Sequence, residues 1–213
     1  RGKLHVDEPI GLDPGPQLML PPRCEVTRHV SDEQFDFLVL GSGIAGLSYA
    51  LEVADHGTVA VLSKRASDEC NTRYAQGGIA AVVDQDDSFD EHVENTMVAG
   101  DGLSDRAVVD LCVREGPAAI QRLRDIGVRF AADLAQEGGH TRRRILHATD
   151  ITGGEIQRAL LARVHAHPNI RLLEHHTAID LVSRRKLSGG ADRILGAYVL
   201  DEVADRVKTF SGR

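Results

Sequence analysis

The chain has 213 residues, 42% of them hydrophobic and 27% charged, the composition of a globular protein with one sizeable core. A formal net charge of -7 argues against a nucleic-acid partner, because phosphate binding calls for a basic surface. No apolar run approaches the roughly 20 residues that a membrane-spanning helix requires.

Residues 1–34 hold most of the seven prolines and little periodicity, and they read as a flexible leader. Their acids (Asp7, Glu8, Asp13, Glu25, Asp32 and Glu33) make them a poor transit peptide, although they suit the remnant left after one is removed. With Arg1 in first place, a processed or partial chain is expected. Phe37-Leu38-Val39-Leu40 is a short apolar run expected to form a buried parallel strand. It leads into Gly41-Ser42-Gly43-Ile44-Ala45-Gly46 and a helix carrying Leu47, Leu51 and Val53 that ends near Gly57. Thr58 to Leu62 is a second strand, which completes a βαβ unit of dinucleotide-binding size.

A glycine-rich segment, Tyr74 to Val82, follows. Ser88 or Asp87 caps a helix ending near Gly100, and Ser104 caps the next. Gly116-Pro117 is expected to interrupt that helix, with Pro117 opening another that stops at Gly127. Thr152 begins a further helix, which Pro168 ends. Ile170 to Val182 and Ile194 to Leu200 read as β-strands joined through the polar 183–193 stretch.

Cys24, Cys70 and Cys112 form no CxxC pair and read as buried or indifferent thiols in a reducing compartment, with a redox-active Cys70 as the alternative. His165/His167 and His175/His176 lack a carboxylate or cysteine at ligand spacing, so a helix end and a strand are preferred to a metal site.

The chemistry concentrates in two glycine-rich segments. In the first, Gly41 permits the tight turn, Gly43 leaves room for a pyrophosphate and Gly46 lets helix and strand pack closely. The N–H groups at the helix start face the anion. A nucleotide fold ordinarily places an acid after the second strand to bind ribose. Here Ser63-Lys64 stands there, which weakens a plain NAD reading and leaves NADP open. In the second segment, Asn71-Thr72-Arg73-Tyr74-Ala75-Gln76-Gly77-Gly78, paired glycines beside an amide and a hydroxyl form a donor-rich backbone surface that suits an isoalloxazine edge. An ordinary loop is the alternative.

Taken in order, GSGIAGLSYAL, AVLSK, NTRYAQGGIAAV, EGGHTRRRILHATDITG and HPNIRLLE resemble the L-aspartate oxidases, flavoenzymes that open quinolinate and NAD biosynthesis and are related to the flavoprotein subunits of succinate dehydrogenase and fumarate reductase. The resemblance covers about residues 35–210. It implies an α/β fold, a Rossmann-like FAD-binding domain with a parallel sheet, flanking helices and additional β-strands. Ser42, Gly43, Ile44 and Ala45 would line the diphosphate, Lys64 would lie near adenosine, and Asn71 through Gly78 would line the flavin. Respiratory relatives carry a flavin-bonding histidine where Asn71 stands here, so FAD is expected to be non-covalent.

Glu137, in Glu137-Gly138-Gly139-His140, matches a carboxylate that the family places near substrate. There it would orient the ammonium of L-aspartate and disfavour simple dicarboxylates. Arg142, Arg143 and Arg144 resemble a dicarboxylate clamp, but a solvated basic face is preferred for most of them. The implied reaction is oxidation of L-aspartate to iminoaspartate by hydride transfer to the flavin, with oxygen or fumarate as the final acceptor. Quinolinate synthase would be the recipient of the imine. The runner-up readings are a fumarate reductase-like flavoprotein and a non-catalytic flavin-binding module.

Two departures stand out. The Phe130–Glu137 link is short for the family, and Gln136 replaces a common arginine. Later family segments, including the catalytic arginine and substrate histidines, are not in these 213 residues, so the domain is expected to be incomplete. Similarity to plant forms favours a plastid over the cytoplasm.

Overall fold

The computed structural model describes residues 32–148 and 151–212. Three parallel strands make the central sheet: β2 (Phe37–Leu40), β3 (Val59–Leu62) and β6 (Ile170–Leu173), in the order β2-β3-β6. The register sets Phe37 beside Val59 and Val59 beside Ile170. The helices α1 (Ile44–Val53) and α4 (Thr152–Ala166) pack together on one face.

Strand alternation divides the side chains between two cores. Val39, Val59 and Val61 join Leu47, Ala50, Ile156, Leu160 and Val164 under the helices. Leu62, with the half-buried Leu38 and Leu173, faces the other way, onto Ala197, Val199 and Phe210. Those last three belong to a second sheet. It comprises β7 (His176–Ser183), β8 (Ile194–Asp201), β9 (Arg206–Ser211) and β1 (Asp32–Gln34), in the order β1-β9-β8-β7. The result is helices, parallel sheet and second sheet in three layers.

A smaller lobe holds α2 (Phe89–Ala99), α3 (Arg106–Asp125) and the paired short strands β4 (Ile79–Ala80) and β5 (Ile145–Leu146). A short helix, α5 (Arg184–Ser188), interrupts the polar stretch before β8.

Four sequence expectations change. First, α3 is continuous through Pro117. The proline deprives the Val113 carbonyl of a donor, but Gly116 before it has no Cβ to strike the pyrrolidine ring, so the chain stays helical. Second, Asp105 rather than Ser104 caps α3, its carboxylate accepting from the Ala107 and Val108 N–H groups at 2.8 and 3.2 Å. Third, residues 32–34, read as the end of a leader, form β1 and pair in parallel with β9; residues 1–31 lie outside the described residues. Fourth, of the two readings of the thiols, buried or indifferent, the buried one does not hold for Cys112, which is exposed, or Cys70, which is half-exposed; Cys24 lies outside the described residues. Ser88 caps α2 as expected, accepting from the Glu91 N–H. Among the described residues no helix is long and apolar enough to cross a membrane, and no three His, Cys, Asp or Glu side chains are grouped to hold a metal.

Candidate functional site

The turn between β2 and α1 contains three glycines with three different physical causes. Gly41 has φ +108°, a conformation open to glycine and costly for other residues. A Cβ on Gly46 would overlap the Gly41 carbonyl oxygen. Gly43 is under neither constraint. Its φ of -75° and ψ of 176° suit any residue, and an added Cβ would meet only the Thr72 hydroxyl, at 3.4 Å. The protein itself leaves the space over Gly43 empty, a cradle that a side chain would fill.

The first turn of α1 has no local side-chain cap. Thr72, 28 residues on, supplies one: its hydroxyl oxygen accepts from the Ile44 N–H at 3.0 Å. That bond leaves the hydroxyl proton free to donate outward. Gly43 and Ala45, at the helix start, have no intrahelical carbonyl for their N–H groups. The helix dipole adds positive potential at the same point.

This turn floors a cleft of about 470 Å³. One wall is the end of β3 with Ser63 and Lys64, and another is the Glu69–Thr72 loop. The third is His176, Thr177 and Ala178 of β7. Ser63 is buried, and its hydroxyl already shares a hydrogen bond with that of Ser42 at 3.1 Å. Lys64 is exposed on the rim. Behind His176 lies a charged cluster. The His176 Nε2 stands 3.6 Å from Asp201, and Lys208 donates to the same carboxylate at 2.8 Å. The Lys208 bond, followed by the Ala204 N–H, holds the Asp201 carboxyl down to about 2.

The segment Asn71–Gly78 leaves this cleft and ends against Glu137. Asn71 and Thr72 line the cleft. Arg73 and Tyr74 turn outward, paired with Asp68 and Glu69 respectively. The Ala75 carbonyl accepts from the Gly153 N–H at the start of α4, at 3.0 Å. After the exposed Gln76 come Gly77, where an added Cβ would meet only the Glu137 carboxylate, at 3.8 Å, and Gly78, whose N–H points to Glu137 Oε1 at 3.5 Å. A Cβ on Gly78 would overlap Ile145 and the Leu146 carbonyl, so close β4–β5 packing explains that glycine without a ligand. Glu137 itself is exposed.

The three arginines after Glu137 do not form a clamp. Arg144 is completely buried, with Nε and Nη2 donating to both oxygens of Asp87 at 3.0 and 2.7 Å, and Nη1 donating to Asn95 at 3.2 Å. It is the exception to the solvated basic face expected for most of the three, because its charge is met from 57 residues earlier in the chain. Arg142 pairs with Glu91 at 3.2 Å, and Arg143 donates to the Leu134 carbonyl at 3.4 Å. The Thr141 hydroxyl, then Arg142, hold the Glu91 carboxyl below its usual range. Beneath the loop, His92 and His140 meet edge to face with ring centroids 5.4 Å apart. Burial, then the charges of Arg144 and His140, push His92 below the usual imidazole value.

Sequence reading missed two parts of this site. The β7 wall carries no motif, and Gln157 of α4 looks like any helical glutamine. Gln157 is buried, and its Nε2 donates to the Ser42 carbonyl at 2.8 Å and the Ser67 carbonyl at 3.0 Å.

A turn that reserves space over Gly43 at a helix start, between two parallel strands, defines a dinucleotide-binding domain. Residues 36–213 match the FAD binding domain family, and the chain belongs to that family; its cofactor is FAD. It is 45% identical over 193 residues to an L-aspartate oxidase of Vibrio cholerae, an alignment covering 85% of this chain and 36% of that protein. It is 51% identical over 162 residues to the chloroplastic L-aspartate oxidase 2-a of Nicotiana tabacum, covering 73% of this chain and 25% of that one. A quinol fumarate reductase structure from E. coli superposes with a TM-score of 0.77 at 26% identity, over 85% of this chain and 32% of that chain. The chain thus spans about a quarter to a third of the length of these relatives.

Proposed function

We propose that the protein containing this chain oxidises L-aspartate to iminoaspartate with non-covalent FAD, the first step of quinolinate and NAD biosynthesis. The observation that carries the reading is the course of Asn71–Gly78. One continuous segment runs from the cleft over Gly43 to the Glu137 carboxylate. A dinucleotide whose diphosphate lies on the glycine turn would lay its flavin along that segment and present it to Glu137. The names of the Vibrio and tobacco relatives support aspartate as substrate.

In this arrangement the Gly43 and Ala45 N–H groups and the Thr72 hydroxyl donate to the diphosphate. Ser42 shapes the floor, Ile44 takes part through the N–H that Thr72 caps while its side chain lies outside the cleft lining, and Lys64 lies at the adenosine end. Bound FAD supplies the hydride acceptor. The backbone of Asn71, Thr72, Arg73, Tyr74, Ala75, Gln76, Gly77 and Gly78 forms the flavin's bed, with the Arg73 and Tyr74 side chains turned away from it, and Asn71 has no nucleophile for a covalent flavin bond. Glu137 accepts hydrogen bonds from the substrate ammonium, which orients the Cα–H bond and selects an amino dicarboxylate over a plain one. Oxygen or fumarate is the final acceptor, and quinolinate synthase the recipient of the imine. A plastid is the proposed location, by similarity to the chloroplastic tobacco relative, with the cytoplasm as the alternative.

The fumarate reductase-like reading has the structural likeness in its favour, while Asn71 and Glu137 distinguish the two. In the complete natural protein, L-aspartate added without oxygen is expected to bleach the flavin absorbance and succinate is not. Bleaching by succinate alone would assign the protein to the second reading. Glu137→Gln is expected to lower kcat/KM for aspartate by roughly tenfold to a hundredfold, the loss of one charge-assisted contact.

A further inference from the structure

We propose that Gln157 is a positioning residue for the FAD diphosphate, locking the Ser42–Gly43 peptide so that the Gly43 N–H faces the cleft. The inference rests on the diphosphate lying over the glycine turn. Gln157 is 1% exposed, and its Nε2 donates to two carbonyls, those of Ser42 and Ser67. Both partners are acceptors, so chemistry alone decides which end of the amide faces them. The described peptides are all trans, and in a trans peptide the C=O and the following N–H point in opposite directions. Drawing the Ser42 carbonyl toward α4 therefore turns the Gly43 N–H away from α4. Gly43 lines the cleft and Gln157 does not.

The second bond holds the Ser67 carbonyl, on the loop between Lys64 and Thr72. One side chain thus fastens the turn and the loop that faces it, 115 and 90 residues distant in sequence. The remaining acceptor, Oε1, is buried with no partner among the described residues. Burying an unpaired acceptor is costly, so an amide is a poor choice where filling space beside Ile156 and Leu160 is all that is required. The two donors give the reason for keeping it.

The test uses the complete natural protein stripped of FAD, with Gln157→Met, which keeps the volume and removes the donors, and Gln157→Asn, which keeps the donors and draws them back one methylene. Both variants are expected to weaken FAD binding, measured by quenching of flavin fluorescence, by about tenfold through lost preorganisation. Both are expected to move the phosphorus resonances of bound FAD at saturation, a readout that a lowered melting temperature of the apoprotein does not produce by itself. Where the methionine variant does not fold, the asparagine variant carries the test. Wild-type affinity in a folded variant, or weakened binding with unchanged phosphorus resonances, would overturn the proposal. Gly43→Leu is measured alongside. If it binds FAD like wild type, the diphosphate does not lie on the turn, and it is the underlying reading that fails.

Discussion

Replacing Arg144 with methionine is expected to destabilise the protein by about 3–5 kcal/mol, the loss typical of breaking a buried ion pair from one side. The guanidinium meets both oxygens of Asp87, and the two side chains are 0% and 2% exposed. Without Arg144 the Asp87 carboxylate stays buried with its charge unmet. The melting temperature should fall by roughly 10 °C for a chain of this size. The double substitution Asp87→Leu with Arg144→Met removes both charges and should recover much of the loss, because two apolar groups leave no stranded ion. A thermal-melt series over the two single variants and the double one checks this. Equal, small losses in all three would mean that the pair contributes little. The effect should also reach the loop bearing Glu137, because the Arg144 carbonyl accepts from the Ala81 N–H in the strand pairing that sets β4 against β5.

Gly153→Ala and Gly154→Ala are expected to have opposite effects. A Cβ on Gly153 would overlap the Thr72 carbonyl oxygen and come within 2.9 Å of Ala75. The 72–75 loop would have to move, and with it the Thr72 hydroxyl that caps α1. Overpacking of this kind costs about 1–3 kcal/mol, and FAD affinity should fall with it. A Cβ on Gly154 meets nothing closer than 3.7 Å, so alanine there should stabilise α4 by about 0.4–1 kcal/mol through the unfolded chain. Melting and FAD titration of the two variants decide it. Similar behaviour of both would contradict the packing of α4 on the 72–75 loop.

The same pair of glycines shows where sequence reading stops. Both stand in the first turn of one helix, and only the fold reveals that one of them touches another loop. What was legible in the sequence was local. Phe37–Leu40, the Gly41–Gly46 turn and Val59–Leu62 are contiguous and carry their own periodicity, so the βαβ unit and the separate backbone causes at Gly41 and Gly46 followed from the chain itself. Asn71–Gly78 and Glu137 were marked by motif, and the structure brings Gly77, Gly78 and Glu137 together.

What was not legible came from partners distant in sequence. Nothing in the sequence sets Arg144 apart from Arg142 and Arg143, because Asp87 is 57 residues away. Gln157 gave no signal because its two acceptors are backbone carbonyls, which every residue has. The β7 wall of the cleft depends on the second sheet folding over Leu62, through Ala197, Val199 and Phe210. Pro117 misled because a helix can pass through proline when the residue before it is glycine.

In the proposed arrangement FAD lies across the glycine turn and along Asn71–Gly78, with Glu137 at its flavin end. A crystal structure of the complete natural protein with FAD bound tests it most directly. The diphosphate is expected within hydrogen-bonding distance of the Gly43 N–H and the Thr72 hydroxyl, and the isoalloxazine beside Gly77 with Glu137 facing its substrate side. A diphosphate placed away from Gly43, or a flavin on the opposite side of the cleft from Glu137, would contradict it.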